Sequence, residues 1–313
     1  MSCAMKPPAA NCPTLAEHGA KLSPEKDRYV LYISMMCPFA HRVNLVRSLK
    51  GLKSWIQLVV LDPELGSNGW FFSGRFGTAE RDPLYGFKYL KDLYLKSEPG
   101  YTGRSSVPML WDKKTEKVIS NESGDLMRML YSSFDALLPP ELQEMNLPGG
   151  GFYPNDLRAD IEKLNSLIHS SLNAGVYNVG LASSQEAYDE ASDKVFDLLD
   201  QVEQRLQSNR FLLGPNITET DLRLYTSIAR FDVAYYTVFR CNLKMIRLDY
   251  PAIDRWYRQL YHTGVPWSQS AFEETTDFFA CKFGYTKFYE SRRVGAKDII
   301  PAGPSPAILP PRA

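Results

Sequence analysis

A short apolar run that ends in Cys-Pro constrains this 313-residue chain more than any other feature. The run Tyr29–Ile33 predicts a buried strand, and Pro38 suits the first turn of a helix, where its missing N–H costs nothing. Cys37 is therefore expected between a strand and a helix, at the N-terminus of that helix. Apolar residues then follow with helical spacing, and a glycine is placed to end the helix: Val43, Leu45, Val46, Leu49 and Gly51.

The expected chemistry of Cys37 follows from that position. The free N–H groups and the dipole of a helix N-terminus favour an anion. A thiol in such a place has its pKa lowered from about 8.5 to roughly 3.5–7.5, which gives a nucleophilic thiolate at neutral pH. The alternative is an inert thiol buried at the end of a strand, a common position for cysteine.

The composition excludes several classes of protein. Lysine plus arginine and aspartate plus glutamate number 36 each, so no net field attracts nucleic acid or an anionic membrane. No apolar stretch reaches membrane-spanning length. We therefore predict neither nucleic-acid nor membrane partners. The 18 tyrosines, 16 phenylalanines and 5 tryptophans indicate large cores and a pocket for flat ligands.

The cysteines and histidines argue against disulfides and bound metal. The chain has no CxxC pair, no paired Cys/His spacing and only four histidines. It shows no signal-peptide or transit-peptide pattern, so a reducing, cytoplasmic location is expected. We predict no metal and no disulfide framework, with the last two cysteines as structural thiols. The five cysteines are Cys3, Cys12, Cys37, Cys241 and Cys281.

The chain changes character near its middle. Its first half alternates strand and helix signals in the order β-α-β-α-β-β-α, a thioredoxin-like pattern. A long loop lies between Leu61 and Leu84, after the second strand, with glycines and aromatic residues at 66–72, and loops of that length are usually functional or disordered. After the elements around Cys37, we predict a strand at 56–61, a helix at 84–96, strands at 107–111 and 118–119, and a helix at 122–131.

The second half carries only helical signals. Apolar residues share one helix face over 157–168 and over 195–206, and Thr218 with Asp221 predicts a capping box. We therefore predict an α/β domain followed by an all-α domain. The predicted parts are an N-terminal arm at 1–26, a thioredoxin-like domain at 27–140, a linker at 141–155, an all-helical domain at 156–297 and a Pro-rich tail at 298–313 that is neither helix nor central strand.

This order of domains resembles a glutathione transferase, and the motifs are more specific than the fold. Residues 37–42 (CPFAHR) and 49–52 (LKGL) resemble the CPWAHR and LKGL motifs of the glutathionyl-hydroquinone reductases, the Xi-class, omega-like transferases. The likeness covers nearly the whole chain after the N-terminal arm. Further matching stretches are 69–70, 82–86, 89–90, 92–94, 107–113, 120–123, 173–177, 185–188, 230–232, 239–242, 282–287 and 299–304.

The resemblance implies a glutathione-dependent enzyme with Cys37 as its nucleophile. Its thiolate would attack the sulfur of a glutathionylated substrate, release the product and form a mixed disulfide, which a second glutathione resolves as oxidised glutathione. The implied function is reductive deglutathionylation of glutathionyl-hydroquinones. The implied partners are glutathione as co-substrate, an aromatic small molecule as substrate, and a second copy of the chain in a homodimer.

The resemblance also assigns glutathione-binding residues. Pro108 resembles a cis-proline that exposes the Val107 backbone for pairing with the tripeptide. Glu122 and Ser123 resemble a clamp for the γ-glutamyl ammonium and carboxylate at a helix start. Read alone, the proline is an edge-strand residue and the Glu-Ser pair is a helix cap. The resemblance adds Phe39, Trp70 and Arg104 as glutathione contacts; read alone, Trp70 is a core residue and Arg104 a surface charge.

Three tyrosines match the substrate site of the family, namely Tyr177, Tyr235 and Tyr285. Their hydroxyls would hydrogen-bond the ring oxygens of a hydroquinone and donate a proton to the carbon that loses sulfur. With 18 tyrosines in the chain, the alternative for each is a packed, half-buried side chain. Tyr236, beside Tyr235, competes for the same role.

The chain departs from the family pattern around the substrate site. Phe39 replaces the tryptophan after Cys-Pro. Val238 stands where the family often has histidine, and Ala280 and Gly284 flank a stretch in which histidines are common. These departures predict a more apolar or wider pocket and leave the Cys37 chemistry intact. Two other functions stay open: an omega-type thioltransferase acting on disulfides or phenacyl-glutathione conjugates, and a non-catalytic protein that binds hydrophobic phenolics.

Overall fold

The computed structural model describes residues 22–292 and 303–311. Up to residue 132 it has the predicted order of strands and helices, built on a four-stranded sheet. The elements of this half are β1 (Tyr29–Ile33), α1 (Pro38–Leu49), β2 (Ile56–Val60), α2 (Leu90–Ser97), β3 (Met109–Asp112), β4 (Lys117–Ser120) and α3 (Ser123–Ser132).

The strand order β2-β1-β3-β4 places β1 inside the sheet. It runs parallel to β2, with Tyr29 opposite Ile56, and antiparallel to β3, with Tyr29 opposite Asp112. All five residues of β1 are buried, which explains its uninterrupted apolar sequence. Because β1 is internal, the turn that follows it lies at the end of a central strand, with a strand on either side.

The helix predicted at 84–96 begins at Leu90, so the prediction of its start was wrong. Asp82 forms a turn there: its carboxylate accepts from Tyr85 N (2.6 Å) and its carbonyl accepts from Gly86 N (2.9 Å). Gly86 has a φ of +72°, a value that ends helical winding. Residues 84–89 are therefore not helical despite their apolar spacing, because the turn at Asp82 and Gly86 sets the backbone there.

The second half is mostly helical, as predicted. Two five-residue π turns interrupt it, at His169–Asn173 and Phe231–Tyr235. Among the described residues no helix is long and apolar enough to cross a membrane. The helices are α4 (Arg158–Ile168), α5 (Gly175–Gly180), α6 (Gln185–Ser208), α7 (Glu219–Arg230), α8 (Tyr236–Val238), α9 (Ile246–Asp249), α10 (Pro251–Thr263), α11 (Ala271–Glu274) and α12 (Phe278–Glu290).

The start of α7 carries the predicted capping box. Thr218 N donates to Asp221 Oδ2 (3.0 Å), and the Thr218 side chain caps the first turn in return. Asp221 also accepts from Leu212 N (3.0 Å), which ties the preceding loop to the helix. A helix start fixed in this way orients every later side chain of α7.

A buried ion-pair group joins the two halves. Glu219, at the start of α7, is fully buried and binds Arg128 of α3 (3.1 Å) and Arg223 one turn further along α7 (2.7 Å). Asn165 of α4 donates to the same carboxylate (3.0 Å). The paired charges and hydrogen bonds compensate the cost of burying this carboxylate.

Both ends of the described chain pack against the folded domains. Leu22 is buried and its N–H donates to Ser133 Oγ (3.1 Å), so residues that we assigned to the N-terminal arm contact the first domain. Residues 303–311 contain no helix or strand. Arg247 donates to the carbonyls of Pro306 (3.1 Å) and Ala307 (2.9 Å) and holds this stretch on the helical half. The five domain boundaries stay predictions, and most of the arm lies outside the described residues.

The end of α1 is held by a buried lysine. The Lys50 side chain is fully buried and binds Asp135 (3.1 Å) and Glu144 (3.3 Å), both in the connector after α3. Burial raises the pKa of Glu144 to about 7, although Lys50 and the Phe152 N–H act in the opposite direction. Glu144 therefore titrates close to neutral pH.

Glu144→Gln should flatten the pH dependence of stability. A carboxyl whose pKa rises from 4.5 to about 7 on folding binds more protons when folded, so stability falls as pH increases through that window. We expect the variant to gain about 1 kcal/mol or more relative to wild type between pH 5 and pH 8, measured by urea unfolding. Glu141→Gln, at an exposed position of the same connector, is the control. Parallel curves for Glu144→Gln and wild type would contradict the assignment.

Candidate active site

Cys37 lies where the sequence places it, between β1 and α1. Its N–H donates to Ser34 O (3.0 Å), and its carbonyl accepts the first helical hydrogen bond from His41 N (3.0 Å). The residue is the N-cap of α1, with Pro38 at the first helical position. About 9% of the Cys37 surface is exposed, so the sulfur lies at the boundary of the core.

The thiol faces the backbone segment that leads into β3. Cys37 Sγ donates to the carbonyl of Val107 (3.6 Å). The Val107–Pro108 peptide bond is cis, as expected from the resemblance. The Val107 backbone therefore lies beside the sulfur, where it can pair with an extended peptide bound next to Cys37.

The expectation of a lowered thiol pKa was wrong for this structure. Burial raises the pKa of Cys37 above its ordinary value. The N–H groups of Ala40 and Phe39 and the charges of Arg230 and Arg42 all lower the pKa, but together they do not outweigh burial. The helix terminus thus acts in the predicted direction, while desolvation decides the net sign.

Arg230, at the end of α7, reaches across to the turn before Cys37. Its side chain is 1% exposed and donates to Met36 O (2.9 Å) and Met35 O (2.8 Å). The same guanidinium donates to Thr226 O (2.7 Å) and to His41 Nδ1 (2.9 Å). One cation from the helical half therefore fixes the backbone of the turn that carries the thiol.

His41 is a neutral side chain of α1 that links Arg230 to Thr275. Because Arg230 donates to Nδ1, the ring proton is on Nε2, which donates to Thr275 Oγ1 (3.2 Å). The Thr275 hydroxyl donates in turn to Ala271 O (2.7 Å). Burial and the neighbouring Arg230 hold the pKa of His41 well below its usual value. His41 thus orients the arginine and is not a proton carrier at neutral pH.

The start of α3 forms a cationic recess. Ser123 is buried, and its hydroxyl accepts from Arg42 Nε (3.1 Å) and from Arg42 Nη2. Arg223 lies on the other side, since a Cβ added to Gly124 would come within 2.7 Å of Arg223 Nη2. Burial and Arg223 lower the pKa of Arg42, which means that an anion placed here would be stabilised. Glu122, the exposed N-cap, lies at the rim.

The three predicted tyrosines form one buried cluster. Tyr285 OH hydrogen-bonds Tyr177 OH (2.8 Å) and Tyr235 OH (3.0 Å). Burial raises the pKa of all three phenols, so each stays protonated at neutral pH, and Tyr177 also interacts electrostatically with Cys37. Tyr236 is half-buried and has no part in this hydrogen-bonded cluster.

The roles of Phe39, Trp70 and Arg104 as glutathione contacts stay predictions. The Phe39 ring lies 6.0 Å from the His169 ring and 5.0 Å below the Arg42 guanidinium. Trp70 is buried and its carbonyl accepts from Leu90 N (2.9 Å). Arg104 is exposed. Within the described residues no hydrogen bond or ion pair connects the side chains of Trp70 or Arg104 to Cys37.

Gly284 does not widen a pocket, so that part of the sequence prediction was wrong. A Cβ at Gly284 would lie 2.5 Å from Met36 Cγ and 2.5 Å from Pro63 O. The missing side chain lets α12 approach the turn before Cys37. Val238 and Ala280 are both buried, and the more apolar pocket stays a prediction.

Sequence reasoning missed the arginines of the site. Arg42, Arg223 and Arg230 were not assigned a role, although two of them lie in matching stretches. A cation five residues after Cys37 on the same helix was a usable signal for Arg42. Arg230 gave none, because it meets Met36 across 194 residues of sequence. The described part of the chain holds no group of three or more His, Cys, Asp or Glu side chains suited to a metal ion.

Two family models match the chain. The model described as glutathione S-transferase, N-terminal domain, matches residues 36–133, and the model described as glutathione S-transferase, C-terminal domain, matches residues 185–259. The first covers Cys37 and the start of α3. The second covers Arg223 and Arg230. Together they contain every arginine described above.

Curated relatives and solved structures agree with these models. Glutathionyl-hydroquinone reductase YqjG of Escherichia coli is 41% identical over 90% of this chain and 80% of its own, and its glutathione-bound structure superposes with a TM-score of 0.82 over 92% and 88% of the two chains. Glutathione S-transferase omega-like 2 of Schizosaccharomyces pombe is 41% identical over 91% and 88%. The crystal structure of glutathione-S-transferase Xi from Phanerochaete chrysosporium superposes with a TM-score of 0.85, 41% identity and 94% and 95% coverage.

Gly284→Ala should destabilise the protein, contrary to the usual effect of alanine in a helix. An interior glycine normally costs about 1 kcal/mol relative to alanine. Here the added methyl would overlap Met36 and the Pro63 carbonyl, and overpacking of this kind costs about 1–3 kcal/mol. Urea unfolding measures the sign. Lys287→Ala, at a half-buried position of α12, should change stability little. A Gly284→Ala protein more stable than wild type would show that the close approach is not present.

Proposed function

Because the chain belongs to the glutathione transferase family and to its Xi class, we propose that it is a glutathione-dependent glutathionyl-hydroquinone reductase. The observation that carries the proposal is Cys37 at the start of α1, with a cis-peptide carbonyl at 3.6 Å from its sulfur. A cysteine at this position attacks sulfur, whereas a serine or tyrosine would activate the thiol of glutathione itself.

The proposed reaction has two steps. The Cys37 thiolate attacks the sulfur of the glutathionyl-hydroquinone, the sulfur–aryl bond breaks, and the aryl carbon keeps the electron pair and takes a proton. The enzyme then holds a Cys37–glutathione disulfide. The thiolate of a second glutathione attacks the glutathionyl sulfur, regenerates the Cys37 thiolate and leaves as oxidised glutathione. Overall, the thioether sulfur and the thiol of the second glutathione are oxidised to the disulfide, and one aromatic carbon is reduced.

The glutathione tripeptide is proposed to lie between the Val107 backbone and the start of α3. The Val107 backbone would pair with the peptide, while the α3 N–H groups and Ser123 would take the γ-glutamyl carboxylate and Glu122 the ammonium. The buried charge of Arg42 supports this, since burial and Arg223 lower its pKa and a carboxylate there would stabilise the cation. Phe39, Trp70 and Arg104 would line the remaining length of glutathione.

The tyrosine cluster is proposed to act on the aromatic part. Tyr285 and its two partners present three protonated hydroxyls joined by hydrogen bonds of 2.8 and 3.0 Å. Such a group can bind the ring oxygens and supply the proton that the departing carbon needs. The aromatic substrate and the homodimer both remain predictions. The omega-type thioltransferase is the second candidate, because Cys37 has no CxxC partner in the sequence and the resulting monothiol cycle serves either kind of substrate.

Cys37→Ser should abolish deglutathionylation, because an alcohol cannot form the mixed disulfide. We expect the loss of kcat to exceed about 10³-fold, measured by release of the hydroquinone from its glutathione conjugate. Wild-type protein mixed with the conjugate alone should show one glutathione added to the Cys37 peptide in mass spectrometry. Cys241→Ser, at a buried cysteine outside the site, is the control. A Cys37→Ser protein that keeps most of the activity would refute the mechanism.

Tyr285→Phe should separate the reductase from the thioltransferase. Loss of the central hydroxyl should lower kcat for a glutathionyl-hydroquinone by about 10²-fold, because that reaction needs a proton at carbon. Reduction of a small mixed disulfide expels a thiolate and should change little. Tyr236→Phe is the matched control. If the wild-type kcat/KM for the disulfide is higher by orders of magnitude, the thioltransferase is the correct assignment.

A further inference from the structure

Arg230 is a buried charge held only by neutral acceptors. Four of its five N–H donors are directed at three backbone carbonyls and one imidazole nitrogen. None of the ion pairs in the described ranges includes it. A guanidinium at 1% exposure is costly to bury without an anion, even with its hydrogen bonds made.

The titratable groups that interact electrostatically with Arg230 come from five elements, its own helix included. They are Cys281 and Tyr285 of α12, Tyr235 of the second π turn, Cys37 and His41 at the start of α1, Tyr177 of α5 and Tyr225 of α7. His41 accepts from the arginine and is neutral, so it supplies no negative charge. The phenols hold their protons at neutral pH because burial raises their pKa. Only the two thiols can supply an anion.

Of these thiols, Cys37 is the better anion. It is the N-cap of α1, so the N–H groups of Phe39 and Ala40 act on its sulfur as well as the arginine. Cys281 lies inside α12, where no free N–H group is offered, and its sulfur faces the Met35 carbonyl at 3.9 Å. Asp277, one turn earlier, further opposes ionisation of Cys281.

We propose that Arg230 is the positioning residue of the Cys37 nucleophile and the buried counter-cation of its thiolate. The assignment rests on the proposed function only in taking Cys37 as the nucleophile. When the thiol loses its proton to solvent, the arginine gains the anion that its site lacks. The same guanidinium donates to the Met35 and Met36 carbonyl oxygens, so the partial negative charges of these oxygens are hydrogen-bonded to Arg230.

The test is the pH dependence of Cys37 alkylation by iodoacetamide, followed on the Cys37 peptide by mass spectrometry. Arg230→Met should raise the midpoint by about one unit or more, which is about tenfold slower alkylation at pH 7. Arg230→Lys keeps a charge but cannot hold two carbonyls, so its midpoint should stay close to wild type while kcat falls. If Arg230→Met does not fold, Arg230→Gln provides the uncharged variant.

Arg258→Met is the matched control, because Arg258 is also a buried arginine of the helical half but is paired with Asp254 (2.9 Å). It should lower stability and leave the Cys37 midpoint unchanged. A folded uncharged Arg230 variant with the wild-type midpoint would overturn the proposal, as would an equal shift in Arg258→Met. Alkylation needs no turnover, so this result is independent of whether the quinone conjugate is the substrate.

Discussion

The turn that presents Cys37 is held by the opposite half of the chain. Arg230 supplies hydrogen bonds to the carbonyls of Met36 and Met35, which lie 194 and 195 positions earlier in the sequence. His41 and Thr275 extend the same network to α11. The thioredoxin-like half provides the strand, the helix and the sulfur, and the helical half contributes hydrogen bonds to the turn that carries it.

The parts that sequence reasoning predicted correctly are those with local causes. The internal position of β1 follows from an unbroken apolar run, and the start of α1 follows from a proline directly after Cys37. The capping box of α7 needs only Thr218 and Asp221, three residues apart. The cis bond before Pro108 and the tyrosine cluster came from the family resemblance, because no spacing rule brings residues 177, 235 and 285 together.

The parts that it missed depend on tertiary packing. The pKa of Cys37 was predicted from the helix terminus alone, yet burial by the surrounding core sets its direction. Gly284 was interpreted as missing bulk, but the space belongs to Met36 and the Pro63 carbonyl. Arg230 had no local signal at all. In each case the deciding neighbour lies on another element, so its presence cannot be inferred from the residues beside it in sequence.

The two π turns have a consequence for how the tyrosine cluster can be compared between proteins. Each holds one residue more than a regular helical turn, and one residue changes the direction of everything after it by about 100°. Tyr177 follows the first π turn and Tyr235 closes the second. The meeting of their hydroxyls at Tyr285 is thus a property of backbone winding as much as of side-chain identity. A homologue with a tyrosine at an aligned position but a regular α-helix before it would direct that phenol elsewhere.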